Sequence, residues 1–305
     1  SHWRVIQSVN QTLLERDMST TTLFLQKNKK PMFRGLALLV LAFGLLGSRG
    51  WEEAILNDRV LQPFLMLLSA PFLFALFRRK NPIRLLVACF VPAGVAVGAL
   101  NLIEPLLVLA DAKNAIASPT IYGPIGLGLI LSYACRAVTP HYEPKAESTG
   151  VVEVLICLAA TTALFSAHIA STLDSPHVYL NAMALITTLG VTLCSFAYND
   201  KASLTFGEVI ARAGLFTCLL AAVYAVTLYT AGVAANEPRT IGPVLADSFN
   251  LLAYGALLVI SGGAVSPSED RALMTRDWHL TEAYVFVTLI VFPPLTLLEF
   301  MSVPS

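Results

Sequence analysis

Charged side chains are scarce in this chain, and their scarcity excludes an ordinary soluble domain. Only 13% of the 305 residues are Asp, Glu, Lys or Arg, whereas soluble domains carry about 25%. Hydrophobic residues make up 56% of the sequence, and they gather into runs long enough to cross a bilayer. The formal net charge is zero, so charge predicts no nucleic-acid partner. The composition predicts a polytopic integral membrane protein whose main partner is the lipid bilayer.

Motifs for metal binding, disulfide bonding and catalysis are also missing. The five cysteines all fall inside apolar runs and show no CxxC or Cys/His spacing, which favours small buried hydrophobic residues. No P-loop, HExxH or GxSxG motif occurs in the sequence. The sequence therefore identifies no cofactor.

The apolar runs predict an all-α bundle of about nine transmembrane helices. An amphipathic and basic segment, residues 1–31, precedes a transmembrane domain that covers residues 32–305. Lys and Arg concentrate in alternate loops, which predicts a cytoplasmic N-terminus, an external C-terminus and a bacterial inner membrane or a membrane of bacterial origin. The predicted spans are Met32–Leu46, Val60–Phe77, Leu85–Leu109, Ile121–Val138, Val151–Ile169, Val178–Tyr198, Phe206–Ala234, Val244–Val265 and Leu280–Met301.

The first eight spans share a layout that suggests a tandem repeat. The two copies would cover residues 32–138 and 151–265, and the span 280–301 would be an extra helix. The clearest match pairs Thr120–Pro124 with Thr240–Pro243, each at the start of an apolar helix. Internal repeats of this kind are common in transporters. The alternative is that membrane thickness alone sets the loop spacing.

Two acidic residues in apolar surroundings are candidates for a polar pathway, because an unpaired charge in hydrocarbon is costly. Glu104 lies beside Pro105 in a long span. The alternative is that this helix ends near Asn101 and leaves Glu104 at the interface. Asp247 lies near the start of the eighth predicted span, where helix capping is an alternative explanation.

Glu208 and Arg212 are further pathway candidates near the cytoplasmic end of the seventh span. Their spacing of four residues places them on one helix face, where they can pair. A structural ion pair at the interface is one interpretation, and a gate or substrate contact is the other.

The chain has one Ser/His/Asp cluster, which consists of Ser166, His168, Ser171, Asp174 and His177. A hydrolase needs a base close to an activated hydroxyl or metal-bound water. His168 and His177 are also candidate contacts for a metal, haem or pigment. The alternative is that these are ordinary polar residues at the membrane interface.

Near the N-terminus, Phe33–Leu39 resembles the "RGLALL" opening of membrane acyltransferases that modify sugars. In that family a histidine follows further along the chain. Here Gly44, Leu45 and Leu46 stand in its place, so the resemblance does not bring the activity with it.

Three functions follow from these features. The repeat, the proline-kinked spans and Glu104 favour a small-solute or ion transporter, or a channel component. The small number of polar residues in the spans favours a non-catalytic accessory subunit of a larger membrane complex. A homo-oligomer is a further alternative. A membrane-embedded acyltransferase- or hydrolase-like enzyme has the least support. A transporter should bring Glu104, Arg212 and Asp247 to one hydrated cavity, whereas a subunit should keep its charges at the rims.

Overall fold

A computed structural model describes residues 58–77, 82–108, 123–132, 151–172, 179–201, 204–235 and 238–265. Every regular element in these ranges is a helix, so the predicted all-α class is confirmed for this part of the chain. The N-terminal segment 1–31 and the predicted spans 32–46 and 280–301 lie outside the described residues.

The described helices correspond to the second through eighth predicted spans. They are α1 (Asp58–Phe77), α2 (Pro82–Val108), α3 (Gly123–Ser132), α4 (Val151–Thr172), α5 (Ala182–Ala197), α6 (Phe206–Ala235) and α7 (Pro238–Val265). The largest difference concerns α7, which begins at Pro238, whereas the predicted span begins at Val244. Proline at the first helical position supplies a suitable φ angle and lacks only an N–H that would have no intrahelical partner.

Three of these helices contain a segment that is long and apolar enough to cross a membrane. The segments are Val151–Ala170 in α4, Phe206–Ala231 in α6 and Leu245–Ala264 in α7. Shorter apolar segments occupy the other helices. The chain is therefore a membrane protein by the length and composition of its helices, and the total of nine spans and the tandem repeat stay predictions.

The centre of the described bundle is formed by α2 and α7. Every residue from Val91 to Leu100 of α2 is buried. In the apolar segment of α7, 89% of the residues are buried, whereas in that of α4 only 33% are. The Cys89 thiol of α2 lies 3.6 Å from the carbonyl oxygen of Ile260 in α7 and donates to it. Such close contact between two apolar helices leaves α4 and α5 at the periphery.

Helices α6 and α7 form a tight antiparallel hairpin that is closed by two facing glycines. A Cβ atom on Gly214 would lie 2.5 Å from the carbonyl oxygen of Gly255. A Cβ atom on Gly255 would lie 2.6 Å from the Cys218 sulfur and 2.8 Å from the Gly214 carbonyl oxygen. Small residues at such positions let membrane helices approach closely enough for backbone to pack on backbone.

Helix α5 is the most exposed of the described helices. Only Ala184 and Thr188 in it are buried. A continuous apolar surface on and just before this helix is left uncovered by the described residues, and its large members are Leu180, Met183, Leu185, Ile186, Leu189 and Leu193. A surface of this kind on a soluble monomer would promote aggregation, whereas in a bilayer it contacts acyl chains.

Candidate polar site on α7

Asp247 lies in the third turn of α7, at the beginning of the apolar segment Leu245–Ala264. The residue is half-buried, and its carboxylate accepts a hydrogen bond from the side-chain amide of Asn181. Because α7 begins at Pro238, Asp247 is too far along the helix to cap it. The capping interpretation of Asp247 is therefore wrong.

Asn181 joins Asp247 to the N-terminus of α5. Its backbone is extended, with φ −80° and ψ 112°, and it occupies the N-cap position of that helix. Its side-chain oxygen accepts a hydrogen bond of 2.9 Å from the backbone N–H of Ala184. One amide group therefore satisfies a free donor of α5 with its oxygen and bonds the carboxylate on α7 with its nitrogen.

A second hydrogen bond connects the same two helices. The Tyr254 hydroxyl on α7 donates to the backbone carbonyl oxygen of Tyr179, two residues before Asn181. Asp247 and Tyr254 are seven residues apart, so they lie on one face of α7. The segment that leads into α5 is consequently fixed to α7 at two points.

Buried polar residues continue the site into the bundle. Ser248 and Asn250, on either side of Phe249, have exposed fractions of 0% and 2%. Asn250 follows Asp247 by three residues and shares its helix face. These residues place a carboxylate, a hydroxyl and an amide within four positions of α7, and groups of these kinds bind cations and small hydrogen-bonding solutes.

Glu208 has a local structural role at the start of α6. Its carboxylate accepts hydrogen bonds from the backbone N–H of Thr205, at 2.7 Å, and from the Thr205 hydroxyl, at 3.0 Å. This is the glutamate half of a capping box, in which a side chain in the first turn bonds the residue before the helix. In the part of the chain that the structure describes, Glu208 therefore bonds Thr205 and not Arg212, which is half-buried one turn later.

The structure places Arg212 and Asp247 far apart along the α6–α7 hairpin. Gly262 of α7 packs against Gly207 and Ala211 of α6, so Arg212 lies at the level of Gly262. Asp247 precedes Gly262 by about 15 residues, which corresponds to about 22 Å at the usual helical rise. The convergence of Arg212 and Asp247 that a single transport cavity requires is therefore not found.

Glu104 lies inside α2, which continues past it to Val108. The predicted alternative of a helix end near Asn101 is therefore wrong, whereas a location of Glu104 at the outer interface stays a prediction. The side chain of Glu104 is outside the described set, so its contacts stay a matter of prediction.

The predicted Ser/His/Asp cluster is only partly described. His168 is buried on the inner face of α4, with 6% exposed, whereas Ser166 is exposed. Two residues apart on a helix, they point to different sides, which argues against direct Ser–His catalysis. Asp174 and His177 lie outside the described residues.

The cysteines that the structure describes agree largely with their predicted role. Cys89, Cys157 and Cys218 are buried, whereas Cys194 is exposed on α5. Within the described ranges, no three His, Cys, Asp or Glu side chains gather as a metal site would require.

Two residues of the polar site were not recognised in the sequence. Asn181 carries a usable signal, because asparagine before a helix-forming run is a preferred N-cap. Tyr254 carries no such signal in the sequence, since its partner is the backbone carbonyl of Tyr179, which lies just before α5. Thr205 and Glu208 have the spacing of a capping box, a signal that competes with the predicted Glu208–Arg212 pair.

The sequence matches no protein-family model, and no curated protein or solved structure matches it.

Proposed function

We propose that the chain is a small-solute or ion transporter or a channel component, and that Asp247 lies on its polar pathway. Arg212 is not part of that pathway, because it lies about 22 Å from Asp247 along the α6–α7 hairpin. The observation that carries the proposal is a half-buried carboxylate at the start of a membrane-crossing segment, bonded to a neutral amide. An ionised side chain in contact with hydrocarbon is costly. Water in a polar pathway would hydrate the carboxylate and remove that cost, and the carboxylate could then bind the transported solute.

The charge of the site favours a cation as the transported species. Asn181, the hydrogen-bonding partner of Asp247 in the described residues, is neutral and leaves the negative charge uncompensated. The next polar side chains along α7, Ser248 and Asn250, are neutral as well. A cation that enters such a site gains from the carboxylate without displacing a fixed positive charge.

Glu104 is the second residue that we assign to the pathway. The hydrogen bond between Cys89 of α2 and Ile260 of α7 shows that Cys89 and Ile260 lie at the same depth in the bundle. In the predicted topology α2 and α7 are the third and eighth spans, so they run in opposite directions. Glu104 and Leu245 each lie about 15 residues from that contact, or about 22 Å along their helices. Glu104 and Asp247 would then share one level of the membrane.

The basic loops support a location in the bacterial inner membrane or a membrane of bacterial origin. The N-terminus would be cytoplasmic and the C-terminus external. In that orientation Glu208 and Arg212 lie near the cytoplasmic side, and Glu104 and Asp247 lie near the external side.

Flux through liposomes that contain the purified chain tests the proposed function. Glu104→Gln should abolish cation flux while leaving folding and assembly intact. Asp247→Asn should lower the flux about tenfold or more, because it removes a charge from a site of low dielectric constant. Initial rates would be measured with K⁺, Na⁺ and proton gradients, and melting temperatures would be compared in detergent.

Glu153→Gln provides the matched control for these variants. Glu153 is a half-buried carboxylate in the first turn of α4, so its replacement also removes one negative charge. The control variant should keep the wild-type flux. Equal fluxes for the wild type, Glu104→Gln and Asp247→Asn would overturn the proposed pathway.

A non-catalytic accessory subunit is the second candidate. The uncovered apolar surface of α5 and the structural role of Glu208 favour it, because a subunit presents broad apolar faces and keeps charges at helix ends. Other membrane subunits or further copies of this chain would then cover α5. An acyltransferase- or hydrolase-like enzyme gains no support from the separation of Ser166 and His168.

A further inference from the structure

Helix α5 is fixed at both ends and packs weakly between them. Over its whole length only Ala184, in the first turn, and Thr188 are buried. Local stability falls where few side chains are buried. The contacts at its two ends therefore contribute to holding this helix in place.

The C-terminal end of α5 is attached to α6. The rings of Phe196 and Phe206 pack with their centroids 5.0 Å apart. The Asn199 amide donates to the carbonyl oxygen of Leu204 at 3.3 Å. These two contacts give α5 a fixed pivot at the start of α6.

The N-terminal end of α5 is attached to α7 instead. Its contacts are the Asn181 bond to Asp247 and the Tyr254 bond to Tyr179. Both can break without unfolding α5, because they connect side chains of α7 to the segment before the first helical turn. The two ends of α5 thus differ in the helix that they contact.

We propose that α5 is a lid that pivots on α6 and is latched over Asp247 by Asn181 and Tyr254. The role of the lid in access to Asp247 rests on the proposed function, whereas the latch itself does not. Asn181 bonds one carboxylate oxygen of Asp247, Oδ1, so a solute that binds through this oxygen competes with the Asn181 amide for it. Solute binding therefore favours release of the N-terminal end of α5, and release of that end frees the carboxylate for solute.

Substitutions of Asn181 separate the latch from helix capping. Serine and aspartate are both good N-caps, so Asn181→Ser and Asn181→Asp preserve the bond to Ala184. Serine is too short to replace the amide contact with Asp247. Aspartate sets a second carboxylate against Asp247 at neutral pH, where the two repel. The double variant Asn181→Asp/Asp247→Asn exchanges the two side chains. The amide at position 247 then donates to the carboxylate at position 181, which restores a hydrogen bond.

Distances between spin labels would report the position of the lid. Labels attached through Leu180→Cys and Val223→Cys occupy residues with exposed fractions of 72% and 62%. The background would carry alanine at all five native cysteines. Asn181→Asp should add a longer-distance population, Asn181→Ser should add a smaller one, and the exchanged pair should return to the wild-type distribution.

A wild-type distribution in Asn181→Asp, or an exchanged pair that stays as displaced as Asn181→Asp, would overturn the latch. If Asn181→Asp yields no folded protein, Asn181→Ser decides: a shifted distribution supports the latch and an unshifted one overturns it. Wild-type flux is measured separately. A wild-type chain that carries no flux would refute the proposed function and would leave the distance result standing.

Discussion

Replacing Leu189 with arginine should prevent stable insertion of α5 into the membrane. Leu189 is 61% exposed at the middle of this helix, on the surface that we assign to lipid. An arginine at the centre of a membrane helix costs about 2.5–3.5 kcal/mol for insertion. We expect the recovery of folded protein from the membrane fraction, measured by size-exclusion chromatography in mild detergent, to fall steeply.

Tyr198→Arg is the matched control for that substitution. Tyr198 is 85% exposed and caps the C-terminus of α5, where an arginine can reach the polar interface. This variant should be recovered in wild-type amounts. If α5 instead faced water, surface substitutions of either kind would change stability by only about 0.5 kcal/mol, and equal recovery of the two variants would contradict the assignment of α5 to lipid.

Adding one methyl group at Gly255 should destabilise the α6–α7 hairpin. The new Cβ atom would lie 2.6 Å from the Cys218 sulfur and 2.8 Å from the Gly214 carbonyl oxygen. Backbone must then move away from backbone, and overpacking of this kind costs about 1–3 kcal/mol. Gly255→Ala should therefore lower the melting temperature in detergent by several degrees, and Gly214→Ala should act in the same direction.

Gly190→Ala controls for the change of residue type. Among the residues that the structure describes, none comes within 4 Å of a Cβ atom at Gly190 in α5, so the methyl group has open space there. Alanine also favours helix over glycine by about 1 kcal/mol. The melting temperature of this variant should stay unchanged or rise. A similar loss of stability in Gly190→Ala and Gly255→Ala would refute the packing explanation.

The helical class and most helix positions could be predicted from the sequence because apolar runs of membrane length leave few alternatives. The predicted span Phe206–Ala234 differs from α6 by one residue at its end. The start of α7 could not be placed in this way, because Glu237–Pro243 is polar and contains two prolines. Pro238 occupies the first helical position, which tolerates proline, whereas Pro243 lies inside α7 and removes one intrahelical hydrogen bond. Composition alone does not show that this stretch is helical.

The candidate site could be predicted only in part. Asp247 stood out because a carboxylate is rare in apolar surroundings. Its bond to Asn181 depends on the approach of α5 to α7, and no local pattern reports such an approach. Spacing also misled the prediction at Glu208, where a neighbour three residues upstream competes with Arg212 for the carboxylate. Local hydrogen bonds of this kind commonly prevail at helix ends.

Native mass spectrometry of the chain, purified gently from its own membrane, tests most directly whether it forms a transport unit by itself. We predict a mass that corresponds to one copy or a small whole number of copies of a single polypeptide that contains this chain. A fixed complement of different subunits would contradict that account. It would favour the accessory-subunit interpretation, in which partner helices, and not lipid, cover the apolar surface of α5.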